Sequence, residues 1–465
     1  MIRLFRQYFS IRKAIFILGE AVLIYFAVAV ASFALMRDEI SFSFLLESAW
    51  WKILLVTAVA QFSLYFNDLY EVQPVGNTLE VATRLVESIG ITSIVLAVVY
   101  FLWPEAMIGQ WIFFVSIILV IFFMASWRFL YAYAVKKKFL TEKAVIVGHG
   151  ELARDLVEEI KGRGDISYDI RLLIGQENGD HSRRELHGIP IRYGFEDLCD
   201  LAEKEQASSI IVALDQKRGV MPYKELLNCK MKGISIIDGE SFYERIAGKV
   251  LVEKINPSWL IFSDGFVKSP VAKLVKRMVG LFLSSIMLIL LSPLIFIVAI
   301  AIKVDSKGPV LFSQERVGEN GEIFKVYKFR SMREDAEAIS GPVWAEEDDP
   351  RITRVGRIIR KLRIDELPQL WNVLKGDMSI VGPRPERPFF VEKLKTKIPY
   401  YKERFAVKPG VTGWAQVKYA YGATEEDALE KLKYDLYYIK NMSLFMDLMV
   451  IFHTVKIVLL GRGSR

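Results

Sequence analysis

The sequence predicts a three-part chain: a membrane α-helical bundle, an α/β Rossmann-like domain and a mainly α-helical C-terminal domain. Three observations predict it. The first third holds four apolar stretches flanked by basic residues. The middle opens on KAVIVGHGELARDLVEEI (143–160), an apolar run, a glycine turn and an amphipathic run. The last third is rich in charge and follows a fifth apolar stretch interrupted by Ser292 and Pro293. The expected bounds are 1–135, 143–265 and 272–465, and a chain of 465 residues has room for about two or three domains.

Composition agrees with a membrane protein. Hydrophobic residues make up 52% of the chain and the mean hydropathy is +0.27. The net charge of +7 is concentrated near the ends of apolar segments, as expected of a surface facing anionic lipid. No nucleic-acid motif accompanies it, so no nucleic-acid partner is expected. The 2 cysteines, Cys199 and Cys229, fall in one segment and imply no disulfide framework. The 4 histidines, His149, His181, His187 and His453, lie away from the acidic motif described below. A His-dependent triad and a His-based zinc site are thereby disfavoured.

The apolar stretches of the bundle are 14–36, 51–66, 89–103 and 111–127. A span needs about 17–25 apolar residues, so the third reaches membrane length only with its flanks. Arg3, Arg6, Arg12 and Lys13 precede the first stretch, and Arg128 with Lys136, Lys137 and Lys138 follows the fourth. The first loop, with Arg37, Asp38, Glu39 and Glu47, has little basic excess. The positive-inside rule therefore puts both ends of the bundle in the cytoplasm. The first stretch is too long for a cleaved signal peptide, and no small-residue cleavage site follows it. Glu20 lies about two turns from the basic end, within snorkelling reach of water.

In the middle domain, Gly148, Gly150 and Ala153 fit the G-x-G-x-x-A dinucleotide pattern. Further strands are expected at 169–174, 209–214 and 234–237. The second strand, RLLIGQ, ends without the acidic residue that holds a ribose. A structural or regulatory role is therefore preferred over cofactor binding.

The fifth stretch, 278–302, is long enough to cross a bilayer if straight. Pro293 removes a backbone hydrogen bond and kinks it. Broken there, its arms are about 21 and 15 Å, and neither crosses a ~30 Å core. The residues leave a span and a re-entrant hairpin open, with Ser292 able to help satisfy the freed backbone groups.

The densest chemistry lies in RKLRIDELPQLWNVLKGDMSIVGPRPE (360–386). Asp365 is a competent nucleophile toward phosphorus, and Glu366 offers hard oxygens to Mg²⁺. Arg360, Arg363 and Arg384 can meet phosphate oxygens with a planar fork. Pro383, Arg384 and Pro385 form a stiff turn. Upstream, Lys328 and Arg330 alternate with Tyr327 and Phe329, predicting a strand with a basic and an aromatic face. That pattern equally suits a half-buried edge strand. Arg354, Arg357 and Lys361 share one helix face, either a solvated face or a collar for anionic substrates. Residues 444–460 read as an interfacial helix with His453 and Lys456 on its polar side.

These motifs resemble the bacterial sugar transferases, the monotopic phosphoglycosyl transferases that act on polyprenyl phosphate. The resemblance covers residues 272–465. It is carried by LRIDELPQLWNVLKGDMSIVGPRPE together with QERVGENGEIFKVYKFRSM (314–332), DPRITRVG (349–356), VKPGVTGWAQV (407–417) and YDLYYIKNMSLFMDL (434–448). One departure is Gly280, where the family has an acidic residue after its opening Lys-Arg, here Lys276 and Arg277.

The resemblance implies a monotopic catalytic domain with a re-entrant membrane helix, 278–302, broken at Ser292 and Pro293, on the cytoplasmic side of the bacterial inner membrane. It implies Asp365 as nucleophile and Glu366 as its acidic partner and Mg²⁺ ligand. Arg360 is implied as a phosphate-binding arginine and Pro383, Arg384 and Pro385 as the nucleotide-contacting turn. Asp435 and Asp447 match shared acidic positions and are candidates at the substrate; Asp447, in an otherwise apolar stretch, needs a partner and could instead pair with an arginine, and for it the structural role is slightly preferred. The implied reaction takes a UDP-sugar and undecaprenyl phosphate to UMP and a diphosphate-linked sugar, through a phosphosugar–aspartate, and primes a surface glycan. Membrane lipid is an expected partner, and a homodimer is compatible with the sequence. Two other readings stand beside it. One is a membrane scaffold or regulator with a nucleotide-sensing Rossmann-like domain and an inactive transferase-like part. The other is a conventional glycosyltransferase that releases UDP.

Overall fold

The computed structural model describes residues 2–4, 7–9, 11–35, 49–70, 78–137, 141–163, 166–176, 184–254, 265–266, 268–333, 351–419, 422 and 424–460. The first-loop charges Arg37, Asp38, Glu39 and Glu47, and also Arg6, Lys138, His181, Asp349 and Pro350, lie outside the described residues. The chain divides into two compact units, 1–4 with 8–242 and 5–7 with 243–465.

The first unit begins with four helices: α1 (Ile11–Leu35), α2 (Trp50–Phe66), α3 (Thr78–Leu102) and α4 (Gln110–Lys136). Among the described residues, α1, α3 and α4 are long and apolar enough to cross a membrane, whereas α2 is a shorter apolar helix of 17 residues. The short element is thus the second rather than the third, because α3 recruits the polar turn TLEVATRLVES ahead of its apolar run. Leu18, Val22, Phe26 and Phe33 of α1 face outward, while Ile24, Ala27, Val28 and Ala31 face the bundle.

Glu20 does not snorkel. It is 0% exposed, and its Oε1 lies 2.7 Å from Arg128 Nη2 on α4. The cause is the closeness of the two helices. A Cβ at Gly19 would sit 2.2 Å from the Trp127 ring, so α1 and α4 are in direct contact beside this carboxylate. A cation on the facing helix stands in for water, as intramembrane acids require.

The second part of this unit is an α/β layer. Its elements are β1 (Glu142–Val147), α5 (Glu151–Gly162), β2 (Tyr168–Gly175), β3 (Glu185–Leu186), β4 (Ile189–Tyr193), α6 (Leu198–Lys204), β5 (Ser209–Val212), α7 (Tyr223–Met231) and β6 (Ser235–Asp238). The sheet order is β3-β4-β2-β1-β5-β6, parallel except for the β3–β4 pair. Ala144, Val145, Ile146 and Val147 are all buried, as expected of a central parallel strand covered on both faces. The order reverses between β1 and β5, the place where such sheets open a crevice.

Cys199 and Cys229 form a disulfide, contrary to the sequence expectation. Composition gave no reason to pair them. Here α6 and α7 pack together and bring the Cα atoms to 5.2 Å, inside bridging range.

The second unit is built on α8 (Pro270–Leu290) and α9 (Ser292–Asp305), which bend by 62° at Leu291. Ser269 caps α8 through Ala272 N, and Pro270 takes the first helical position, where it costs no hydrogen bond. At the bend Ser292 Oγ donates to Ile289 O at 2.8 Å and satisfies a carbonyl of the ending helix. Phe282, Ile289, Leu290, Phe296 and Ile297 remain exposed along the two arms.

The base of α8 is tied down by the residues that open the resemblance. Lys276 Nζ donates to Asp447 Oδ2 and Tyr438 Oη, both at 2.6 Å, and Arg277 donates to Val373 O and to Leu374 O, the latter at 2.8 Å. Gly280, the departing position, is buried, and a Cβ there would meet Val373 at 3.6 Å. Anchoring therefore comes from Lys276 and Arg277 one turn earlier.

Two short sheets and a set of helices complete the unit. The hairpin β7 (Leu311–Val317) and β8 (Ile323–Phe329) is antiparallel, and α10 (Arg354–Lys361) and α11 (Gln369–Lys375) follow it. Then β9 (Ser379–Val381) pairs in parallel with β10 (Gly410–Thr412) across the helix α12 (Pro388–Lys397). The unit ends in α13 (Glu425–Asn441), started by a Thr424–Asp427 capping box, and α14 (Leu444–Leu459). Leu432, Leu436, Tyr437 and Ile439 of α13 pack on Val381, Phe390 and Val391 to form the core.

On α14 the expected polar side is reversed in part. Lys456 is buried, and the exposed stripe is apolar: Leu444, Leu448, Phe452, Val455 and Leu459. These recur at i+3 and i+4, so one helix face presents only hydrocarbon.

Candidate functional site

Asp365 and Glu366 lie on the short 3-10 turn Ile364–Glu366 between α10 and α11. Thr353 caps α10 through Gly356 N, and Asp305 accepts from Val355 N at 3.0 Å, which fixes the helix start. The helix ends at Lys361, and Arg363 takes φ 56°, a left-handed conformation that turns the chain back toward β8. Such a backbone at a non-glycine residue costs about 1 kcal/mol and is retained where surrounding structure holds it.

Both acids are buried, but their surroundings differ. Glu366 Oε1 meets Arg384 Nη2 at 2.6 Å, Lys328 Nζ at 3.0 Å and Arg363 Nη1 at 4.0 Å. Its Oε2 accepts from Arg384 Nη1 at 3.5 Å. Asp365 makes no hydrogen bond or ion pair among the described residues. Burial pushes the Glu366 carboxyl up, yet Arg384 and Lys328 together outweigh it and hold it well below the ordinary range. Burial, and then the charge of Glu366, pushes the Asp365 carboxyl up, against Lys328, Arg360 and Arg384. The dyad is therefore asymmetric, with Glu366 neutralised by cations and Asp365 poised beside it.

Lys328 reaches the dyad from β8. The strand is locked by Asn372, which accepts from Tyr327 N at 3.1 Å and donates to Lys325 O at 2.7 Å. Burial pushes the Lys328 ammonium down, against the pull of Glu366. The expected basic face is split in the structure. Lys328 enters the site, whereas Arg330 is buried and donates to the Ser306 carbonyl and hydroxyl at 2.8 and 2.9 Å. Arg360 makes no side-chain hydrogen bond or ion pair among the described residues, and its charge acts on Asp365. Arg354, Arg357 and Lys361 are exposed.

The turn Pro383–Arg384–Pro385 faces the dyad, and each of its carbonyls is held. Pro383 O accepts from Gly410 N at 2.9 Å. Arg384 O accepts from Arg404 Nη2 at 3.0 Å, and Pro385 O from Arg316 Nη1 at 3.2 Å. The backbones of β9 and β10 approach so closely that a Cβ at Gly410 would lie 2.1 Å from Gly382 N. Val317, Pro383, Arg384, Pro385, Arg404 and Phe405 help line a small cavity, partly open to solvent, beside the turn.

The two other acids that are candidates at the substrate have internal partners. Asp435 Oδ2 accepts from Arg404 Nη2 at 2.9 Å, and Asp447 accepts from Lys276 and Tyr438. Neither lines the cavity. Ser292 and Pro293 sit at the bend of α8 and α9. Sequence reasoning did not single out Arg404, Arg316 or Asn372. For Arg316 and Asn372 the available signal was a polar residue inside a matching motif, whereas Arg404 lies outside those motifs.

The glycine turn of the first unit also has a partner. Asp215 Oδ2 accepts from Glu151 N at 3.0 Å and Oδ1 from Leu152 N at 3.1 Å. These are the first amides of α5, which in a dinucleotide fold face the phosphate. A Cβ at Gly150 would sit 1.8 Å from the same carboxylate, so the glycine leaves room for the Asp215 side chain over these amides.

Residues 271–461 match the bacterial sugar transferase family, and residues 65–220 match a CoA-binding domain. The chain is 42% identical over 240 residues to the UDP-N-acetylgalactosamine-undecaprenyl-phosphate N-acetylgalactosaminephosphotransferase of Aeromonas hydrophila, covering 52% of this chain and 56% of that protein. It is 33% identical over 332 residues to the undecaprenyl-phosphate glucose phosphotransferase of Komagataeibacter xylinus, covering 70% and 60%. It is 46% identical over 188 residues to the exopolysaccharide production protein PSS of Rhizobium leguminosarum bv. phaseoli, covering 39% and 92%. The chain belongs to the bacterial sugar transferase family. It spans only 56% and 60% of the first two relatives' lengths.

Proposed function

We propose that the protein transfers a sugar-1-phosphate from a UDP-sugar to undecaprenyl phosphate and so primes a surface polysaccharide. The observation that carries this reading is the asymmetric dyad. Glu366 is held by Arg384 and Lys328, while Asp365 has no ion pair among the described residues and lies in the field of Arg360. The family membership and the relatives' names, which pair undecaprenyl phosphate with N-acetylgalactosamine or glucose phosphotransfer, support it.

In the first step an Asp365 carboxylate oxygen attacks the β-phosphorus of the donor. The bond from that phosphorus to the bridging oxygen breaks, and UMP leaves with the electron pair. In the second step a polyprenyl phosphate oxygen attacks the same phosphorus. The bond to Asp365 breaks, and the carboxylate is restored. Arg384 and Arg360 bind the diphosphate oxygens and orient them for in-line displacement. Lys328 and Arg384 keep Glu366 ionised, and together with Arg360 they favour the charged form of Asp365.

Mg²⁺ fits this donor set. Glu366 Oε2 keeps acceptor capacity, and Mg²⁺ is commonly held through one or two carboxylates plus substrate phosphates. Among the described residues no group of three or more His, Cys, Asp or Glu gathers in one place, so phosphates would complete the shell. When bound at Glu366, the ion would offset the charge of the diphosphate.

The bent pair α8–α9 is read as a re-entrant membrane element, anchored by Lys276 and Arg277. With the hydrocarbon face of α14, it would place the dyad at the cytoplasmic surface of the inner membrane, where nucleotide sugars are supplied.

The test is nucleotide release by the full chain in nanodiscs, with Mg²⁺, undecaprenyl phosphate and a panel of UDP-sugars. UMP from one donor, abolished by Asp365→Asn, is the expected result. UDP would indicate a conventional glycosyltransferase, and no nucleotide from any donor would favour the scaffold reading.

A further inference from the structure

Prolines on both sides of Arg384 restrict φ at 383 and 385, and Pro385 pushes ψ at Arg384 toward the extended region, which narrows but does not fix the peptide plane between Arg384 and Pro385. That plane decides where the Arg384 side chain points. Its carbonyl oxygen accepts from Arg404 Nη2 at 3.0 Å. The same nitrogen donates to Asp435 Oδ2 at 2.9 Å, and Nη1 donates to Tyr401 Oη at 2.5 Å. Arg404 is 8% exposed, Asp435 2% and Tyr401 2%. The guanidinium is thus clamped from below by α13 and presents one N–H upward to the turn. Arg384 then spends its own side chain on Glu366.

A buried ion pair is a weak source of net stability, because desolvation opposes the Coulombic gain. An apolar pair of similar volume would fill the space as well. What an apolar pair cannot do is hold a carbonyl at a fixed place and angle. We propose that Asp435 and Arg404 are a positioning pair for the transfer reaction, fixing the Arg384 carbonyl so that the Arg384 guanidinium meets both Glu366 and the donor phosphate. Neither residue touches the reacting atoms. The inference rests on the transferase reading given above and assigns Asp435 a role behind the site rather than at the substrate.

The experiment is a double-mutant cycle on the full chain in nanodiscs, read as UMP release with the donor that the wild type accepts. Asp435→Asn is made alone and together with Arg384→Ala. The expected result is a fall in kcat of about 10- to 100-fold from Asp435→Asn in the wild-type background and a much smaller fall once Arg384 is absent. KM for the lipid acceptor should change little. The same factor in both backgrounds, or a fall fully explained by a lower melting temperature, overturns the proposal. Where Asp435→Asn does not fold, Arg404→Lys replaces it, since lysine keeps the charge beside Asp435 but lacks the fork that also reaches the carbonyl. Its fall in kcat must likewise vanish in the Arg384→Ala background. Failure of the wild type to release UMP from any donor would remove both this inference and the transferase reading. UMP from the wild type with additive variants removes this inference alone.

Discussion

Arg384 Nη2 lies 2.6 Å from Glu366 Oε1, and Lys328 Nζ lies 3.0 Å from the same oxygen. One carboxylate oxygen therefore gathers two cations from two separate elements, the turn after β9 and the strand β8. Replacing it with an amide leaves both cations facing a neutral group. Glu366→Gln should lower UMP release by about 100-fold or more, the scale seen when a preorganised charge is removed from a reacting centre. The melting temperature should also fall, because the two cations lose their counter-charge. Activity equal to wild type would show that the cluster serves packing only.

Burial raises the Asp435 carboxyl to about 6, against the pull of Arg404 and Lys431. The charged groups around this pair are Arg404 and Lys431, with Glu386 acting on Arg404 from the turn. Above that pH the Arg404 strut has its counter-charge, and below it the charge is lost. UMP release should therefore decline as pH falls through about 6, and Asp435→Asn should flatten that limb at a lower level. The stability linkage has the opposite sign. The folded form binds this proton more tightly than the unfolded chain, so the group's contribution is full below about 3.8 and lost as pH rises through about 6. A pH-rate profile and melting curves over the same range check both. Activity and stability falling together at low pH would assign the limb to another group.

Lys276 and Asp447 are joined at 2.6 Å with Tyr438 donating to the same carboxylate. Removing one partner of such a pair leaves a buried charge, which costs about 3–5 kcal/mol. Lys276→Ala and Asp447→Ala should each depress thermal stability in detergent, and the double variant should fall well short of the sum. Additive losses would mean that the contact is incidental.

Gly410→Ala should be poorly tolerated, because the added Cβ would sit 2.1 Å from a backbone nitrogen that cannot move independently of the turn. We expect a loss of about 1–3 kcal/mol by melting, typical of forced overpacking, together with reduced UMP release. Gly321→Ala is the comparison, since nothing lies within 4 Å of its Cβ position, although its φ of 83° adds backbone strain there too. Equal tolerance of both would remove the tight crossing as a constraint.

The acid pair, the Pro-Arg-Pro turn and the glycine turn were readable because each is contiguous in sequence and carries its chemistry locally. Their partners were not. Arg404, Arg316 and Asn372 act through hydrogen bonds to backbone or to side chains of other elements, and no periodicity marks such a role. Glu20 read as a snorkelling acid because its cation, Arg128, lies on another helix. Cys199 and Cys229 read as unpaired because only the packing of α6 on α7 brings them together. Lys456 read as polar-side because a helical wheel does not show which face the neighbouring elements cover.

The Asp215 cap bears on the name of the domain that covers it. A carboxylate tethered through its own chain competes for the α5 amides at a high effective concentration, while a free phosphate must be captured from solution. Any phosphorylated ligand would bind only as tightly as its surplus over that built-in rival. Asp215 is exposed, so this rival is a solvent-accessible carboxylate that any such ligand would have to displace.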